Sequence, residues 1–255
     1  TPFGNFKDVR IYGVTNWAID SLVATSCAVM FAEPEFRLMV TNTMLIGTGA
    51  SLQVGSELDR MLAHEVRCRE LVITNGGILT VYSGPTNAGT LNYGGVLDIS
   101  NVVWIATNSW LVPVSEPTNG GSLLITVSNV TIAAGDGIDA RGRGFAGWAY
   151  TGGTGGNGYG YGKGLGTTYY GGGAGYGGTG AVSMSGSGGG IYGSTNAPIQ
   201  PGSGGGGCGK PNGGGSVRIQ ATGGVQVNGS ILANGITNII WGWGGSGGGI
   251  FIACN

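Results

Sequence analysis

The chain has 255 residues, of which 9% are charged, and its 11 Lys and Arg nearly balance 12 Asp and Glu for a formal net charge of −1. That balance leaves no basic stripe for nucleic acid and no acidic tail. Hydrophobic residues make up 41% of the chain, but they fall in short Val, Ile and Leu runs, none near the roughly 20 apolar residues that span a bilayer.

Residues 1–35 read as an N-terminal cap. Residues 8–12 form an opening strand, and the apolar stretch 21–30 suits either a strand pair or a short helix, because short apolar runs are ambiguous in period. A stack of coils needs its first rung covered, since an open end exposes apolar core and unpaired backbone. From 36 to 134 the sequence repeats in kind: 38–42 is followed by 44–46, 71–77 by 78–81, and 123–127 by 130–132. Each is a strand, a small turn and a strand. A unit of roughly 20 residues with Gly or Asn at its corners is the expected size of one solenoid coil.

One interval departs from this pattern. Ser56 to Asp59 has capping-box spacing, and Leu58, Met61, Leu62 and Val66 recur at helical intervals, so residues 57–65 are expected to form a short helix between coils. His64, the single histidine, falls in this charged interval and reads as a solvated surface residue. One histidine excludes a multi-histidine metal site. Strands resume at 95–105 and 110–114 and reach a turn at 117–120.

Of the chain's 58 glycines, 35 fall in residues 135–215, interleaved with Tyr, Thr and Ser. Glycine gives a core no side chains and loses the most backbone entropy on ordering, so an ordinary packed domain is excluded there. The segment is either a flexible linker or a set of polyproline-II-like runs packed backbone to backbone, an arrangement only Gly permits. Its aromatic content favours the ordered form, because aromatics need somewhere to pack. The clearest internal match flanks this segment: residues 120–142 against 214–235, with Ile125 corresponding to Ile219, Val130 and Ile132 to Val225 and Val227, Ile138 to Ile231, and Ala140 to Ala233. Residues 216–255 therefore continue the coils, and 135–215 is an insertion beside them. The expected fold is all-β, a parallel β-helix with a glycine-rich insertion packed against it.

Residues 191–194, 201–207, 213–219 and 247–252 carry a resemblance to the glycine-rich parallel β-helix proteins of bacterial surfaces and extracellular matrices. It covers residues 120–255 well and 36–115 in style. It implies a secreted or surface-exposed protein and an architecture more than a chemistry.

Thr1 in place of Met reads as removal of a leader, in keeping with secretion. The four cysteines, Cys27, Cys68, Cys208 and Cys254, are an even number that suits an oxidising compartment and matches no zinc spacing. The expected pairs are Cys27 with Cys68 and Cys208 with Cys254; four buried free thiols are the alternative.

No catalytic, cofactor or metal motif stands out. Asp136, Asp139, Arg141 and Arg143 form the most polar spot near the glycine-rich segment, and two carboxylates could serve a polysaccharide hydrolase or lyase. Corner aspartates paired with arginines are the plainer reading. The paired-Asp and Gly-His-Gly motifs of β-helix hydrolases are absent, and Gly-x-Gly-x-x-Gly matches such as residues 153–158 are chance events in so glycine-rich a chain. Residues 129–131 and 228–230 are glycosylation-type triplets. Tyr159, Tyr161, Tyr169, Tyr170, Tyr176, Trp241 and Trp243 either pack among themselves or stack on sugar rings.

The leading expectation is a structural subunit that polymerises with itself. The terminal strand with Ile250, Phe251 and Ile252 would pair with an uncovered edge near Phe6, Val9, Ile11 and Tyr12 of the next copy. A carbohydrate-binding adhesin module is the alternative, with a cell-surface or matrix polysaccharide as its partner, and a β-helix lyase or hydrolase comes third.

Overall fold

A computed structural model describes residues 8–33, 36–56, 64–85, 93–149, 155–167, 170–184, 186–237 and 243–254. Among them the strands are, in chain order, β1 (Asp8–Ile11), β2 (Asn16–Ile19), β3 (Leu22–Thr25), β4 (Ala28–Phe31), β5 (Arg37–Gly47), β6 (Ser51–Val54), β7 (His64–Ile73) and β8 (Ile78–Tyr82). They continue with β9 (Gly95–Ile105), β10 (Trp110–Val114), β11 (Leu123–Ile132), β12 (Gly137–Asp139), β13 (Val217–Ala221), β14 (Val225–Val227), β15 (Ser230–Leu232) and β16 (Ile250–Cys254). No helix occurs among the described residues, so none there is long and apolar enough to cross a membrane.

The strands alternate between two all-parallel sheets. Sheet A runs β1-β4-β6-β8-β10-β12-β15, and sheet B runs β2-β5-β7-β9-β11-β13-β16, with β3 completing the rung of β2 on β5 and β14 completing the rung of β13 on β11. This is the parallel β-helix expected from sequence. The register stacks like on like: Trp17, Leu38, Val66, Leu97, Ile125, Ile219 and Ile252 form one inward column of sheet B. Ile19, Val40, Cys68, Ile99, Val127, Ala221 and Cys254 form the next. In sheet A, Val9, Val29, Leu52, Leu79, Leu111, Ile138 and Ile231 align in the same way. Alternation within each strand sends these side chains inward, and together they make one continuous apolar core.

The long sheet-B strands bend at mid-length. In β7 the inward positions are 64, 66 and 68, then 71 and 73, and register shifts at Cys68/Glu70, Val40/Thr43 and Val127/Asn129 mark the same bend in successive coils. The "strand, small turn, strand" pattern of 38–46 and 123–132 is therefore one bent strand, whereas 71–81 crosses a true corner from sheet B to sheet A. At that corner Thr48, Asn75 and Thr107 all take left-handed backbone conformations, with φ of 52°, 52° and 61°. Amides bond from one corner to the next, Ser26 N to Thr48 O at 3.1 Å and Gly49 N to Asn75 O at 2.8 Å.

Two expectations need correction, and one left open is decided. The repeat is longer than 20 residues: stacked neighbours are 22 apart for Asn42 and Asp20, but 28 for Thr126 and Asp98 and 31 for Asn101 and Glu70. The added length lies in the connections from sheet A back to sheet B, which a strand count cannot register. The stretch 21–30 is a strand pair, β3 and β4, and its members belong to different sheets. Of the expected helix 57–65, residues 57–63 lie outside the described residues, while His64 and Glu65 open β7. His64 is 1% exposed, since it shares the inward parity of Val66 and Cys68 and its ring packs against Gly55, whose missing Cβ leaves the space.

The insertion leaves sheet A after β12 and returns at β13. Its described residues form a layer without strands in which backbone runs bond directly to one another. The run at 198–207 is hydrogen-bonded to five others: to 143–149 (Phe145 N to Gly202 O, 3.0 Å), 156–166 (Gly164 N to Gly204 O, 3.0 Å), 171–176 (Gly206 N to Gly172 O, 3.0 Å), 211–215 (Gly202 N to Gly214 O, 2.8 Å) and 243–249 (Ser246 N to Ser203 O, 3.0 Å). Side chains would hold these backbones apart. A Cβ at Gly172 would enter the carbonyl of Ser187, and one at Gly204 the carbonyl of Ala146.

Candidate functional site

The two ends of the solenoid carry its exposed apolar core. Ile250, Ile252 and Cys254 continue the inward columns beyond Val217, Ile219 and Ala221. Val217 and Ile219 are fully buried, whereas Ile250 and Ile252 are 40% and 37% exposed, because no described strand covers the outer edge of β16. Val227, at the end of its own column, is 39% exposed for the same reason. At the other end Val9, Ile11, Trp17, Ile19 and Leu22 are half-buried. Phe251 points to the outer face, Tyr12 follows β1 and is exposed, and Phe6 lies outside the described residues.

The ends are also topologically complementary. β16 occupies only the sheet-B side of the last coil, and β1 only the sheet-A side of the first. The edge at Val9, Ile11 and Tyr12 thus belongs to the sheet opposite that of β16. In a continued stack the strand that meets β16 is β2, and the strand that meets β1 is β15.

The aromatic residues fall into two groups. Phe145, Tyr161, Tyr192 and Tyr176 form a chain of ring contacts, with centroids 5.7, 5.6 and 4.7 Å apart in turn. Tyr192 donates its hydroxyl to Pro201 O at 2.5 Å, and burial is the main cause that pushes its phenol well above the ordinary range. Trp243 is buried, meets Tyr170 edge to face at 5.7 Å and donates Nε1–H to Cys208 O at 3.0 Å. Tyr159, Tyr161 and Tyr170 keep exposed surface. Tyr169 and Trp241 lie outside the described residues.

The acidic segment turns a corner. Asp136 is buried and accepts Ser109 N–H at 2.8 Å from the preceding coil. Asp139 holds Arg141 through both oxygens, at 2.9 Å from Nε and 2.6 Å from Nη2. Burial works to raise the Asp139 carboxyl, but the hydrogen bonds and charge of Arg141, aided by Arg143, outweigh it and hold the group below its usual range.

No disulfide joins the four cysteines, which corrects both expected pairs. Cys68 is buried in mid-β7 between Val40 and Ile99, while Cys27 sits at the corner between β3 and β4. Cys208 is inside the glycine-rich layer, and Cys254 is exposed at the end of β16. Burial, reinforced by Asp98 and Glu70, pushes the Cys68 thiol up to about 12.

A half-open cavity of about 370 Å³ lies where the glycine-rich layer overhangs the sheet-A-to-B corner. Arg143, Lys210, Trp148, Tyr82 and Ser83 line it. Sequence reasoning reached only Arg143 and Tyr159 among its residues. The others come from five separate stretches, and nothing local to any of them signals their convergence.

No protein-family model matches the chain, and neither the curated proteins nor the solved structures yield a match to its sequence or fold.

Proposed function

We propose that the chain is a secreted structural subunit that polymerises end to end into an extracellular filament or matrix. The observation that carries this reading is the pairing of half-coils. Sheet A has seven strands and the main path of sheet B has seven rungs, offset by one level. A second copy of the described strands set on the first then continues each sheet by seven rungs. β16 bonds to β2 of the next copy, β15 bonds to its β1, and the two half-coils make one whole coil. Ile252 continues onto Trp17 and Cys254 onto Ile19, so main-chain hydrogen bonds supply the joint and burial of the exposed columns drives it. The head-to-tail contact does not close on itself and so generates a fibre.

Rungs about 4.8 Å apart give an axial repeat of roughly 34 Å. Electron microscopy of the purified chain, with sedimentation velocity alongside, tests this. Fibres with that repeat support the reading, and a monodisperse monomer at high concentration overturns it.

A further inference from the structure

We propose that the cavity under the glycine-rich layer binds an acidic saccharide, with the sugar ring held against aromatic walls and its carboxylate between Arg143 and Lys210. This site is separate from the solenoid ends and does not depend on the assembly reading.

Among the described residues the charge that lines the cavity is of one sign, with no Asp or Glu. Neither Arg143 nor Lys210 joins an ion pair among the described residues; the nearby acid, Asp139, is held by Arg141. Both cations belong to the glycine-rich segment: Arg143 sits just after β12, where the segment leaves sheet A, and Lys210 sits near its return at β13. Both backbones are anchored. Arg143 O accepts Ser115 N–H at 2.8 Å, and Lys210 N–H donates to Trp148 O at 3.0 Å. Lys210 is further set by a left-handed backbone, with φ of 53°. A fixed pair of cations flanking a cleft selects an anion, and the planar guanidinium suits a carboxylate in particular.

The remaining walls suit a sugar rather than a bare ion. Trp148, Tyr82 and Tyr159 supply aromatic surface, and the C–H face of a pyranose is apolar enough to pack on it. Polar groups share the lining with these rings. Asn212 commits Oδ1 to Gly147 N–H at 2.9 Å, which leaves its Nδ2 donors for a ligand. Ser83 is 6% exposed, and its hydroxyl has no hydrogen-bond partner among the described residues. A buried hydroxyl left unpaired is unfavourable unless something else completes it. A volume of about 370 Å³ is at the small end for ligand sites and takes one or two sugar units.

The test is calorimetric titration of the full chain with a trigalacturonate probe, with neutral trigalactose and a sulfated trisaccharide as comparisons. It is repeated on Arg143→Gln and Lys210→Gln; both side chains are exposed, and a thermal melt confirms that each variant folds. The expected result is saturable binding of the uronate, at least tenfold weaker in either variant and at 0.5 M salt, with trigalactose at least tenfold weaker on the unaltered chain. Tyr161→Ala, outside the cavity, should bind as the parent does. The proposal is overturned by no uronate binding, by uronate binding indifferent to both substitutions, or by preference for the neutral or sulfated sugar.

Discussion

Ile219 lies in register with Ile125 in sheet B, although the same offset, measured between Thr222 and Ser128, is 94 positions. The solenoid therefore resumes after the insertion as though nothing had intervened. This is possible because every long excursion leaves at one corner, the return from sheet A to sheet B: 55–63 between β6 and β7, 83–94 between β8 and β9, 140–216 between β12 and β13, and 233–249 between β15 and β16. A corner has no ladder to interrupt.

Assembly should depend on β16 and hardly on the rest. Deleting residues 249–254, or replacing Ile252 by Asp, should abolish polymers while lowering the melting temperature by only a few degrees. Electron microscopy and a thermal melt of each variant check this. Polymers that persist in both would remove β16 from the joint.

The cysteines should separate by reactivity. Cys254 is exposed and should react with a maleimide within minutes at pH 7.5, and it should be protected in polymers if it packs on Ile19 of the next copy. Cys68 should stay unmodified until the chain unfolds, because the thiolate is the reactive form and its thiol is pushed up to about 12. The sign follows by linkage. The folded thiol keeps its proton where the unfolded one, with an ordinary value of 9.0, has lost it, so the stability associated with this group is intact below pH 9 and declines between about 9 and about 12. Cys68→Ala should flatten that alkaline decline in a denaturation series.

Two glycines in the layer should respond in opposite ways. At Gly172 a methyl group meets the carbonyl of Ser187, whereas at Gly177 nothing lies within 4 Å and the backbone is not left-handed. Gly172→Ala should lose about 1–3 kcal/mol, the usual range for overpacking, and Gly177→Ala should be neutral within about 0.5 kcal/mol. Urea unfolding of the pair measures the contrast.

Asp139 should contribute to acid sensitivity. Its folded carboxyl sits below the ordinary range, so the ion pair with Arg141 is fully present above about pH 4 and is lost as pH falls through the lower folded value. Asp139→Asn should remove that part of the acid limb in a pH-dependent melt and leave neutral-pH behaviour little changed, since Arg141 is largely exposed.

The columns of the solenoid were legible because they are local. The matches of Ile125 to Ile219, Val130 to Val225 and Ile138 to Ile231 appear in the structure as register pairs, each rung having the same inward pattern of Val, Ile and Leu. Strands 95–105 and 110–114 were also found with their bounds. His64 was misplaced because helical spacing at 58–66 masked a strand parity that begins at His64. The disulfide pairs failed because an even cysteine count carries no geometry: Cys68 answers to its column, not to Cys27. The mutual arrangement of the glycine-rich runs could not be read at all. Composition limits such a segment to backbone packing, but which run bonds to which is decided by contacts between residues as distant as Phe145 and Gly202.

The five-sided bonding of run 198–207 bears on the order in which the molecule forms. One of its partners, 243–249, lies beyond β13, β14 and β15 in sequence, and Ser246 N–H must reach Ser203 O before the layer closes. The layer is therefore complete only once the chain on the far side of β15 has joined it. Contacts so distant in sequence make folding slow. A segment whose composition reads as the softest in the chain should therefore open only when those distant contacts break, and limited proteolysis reads that protection directly.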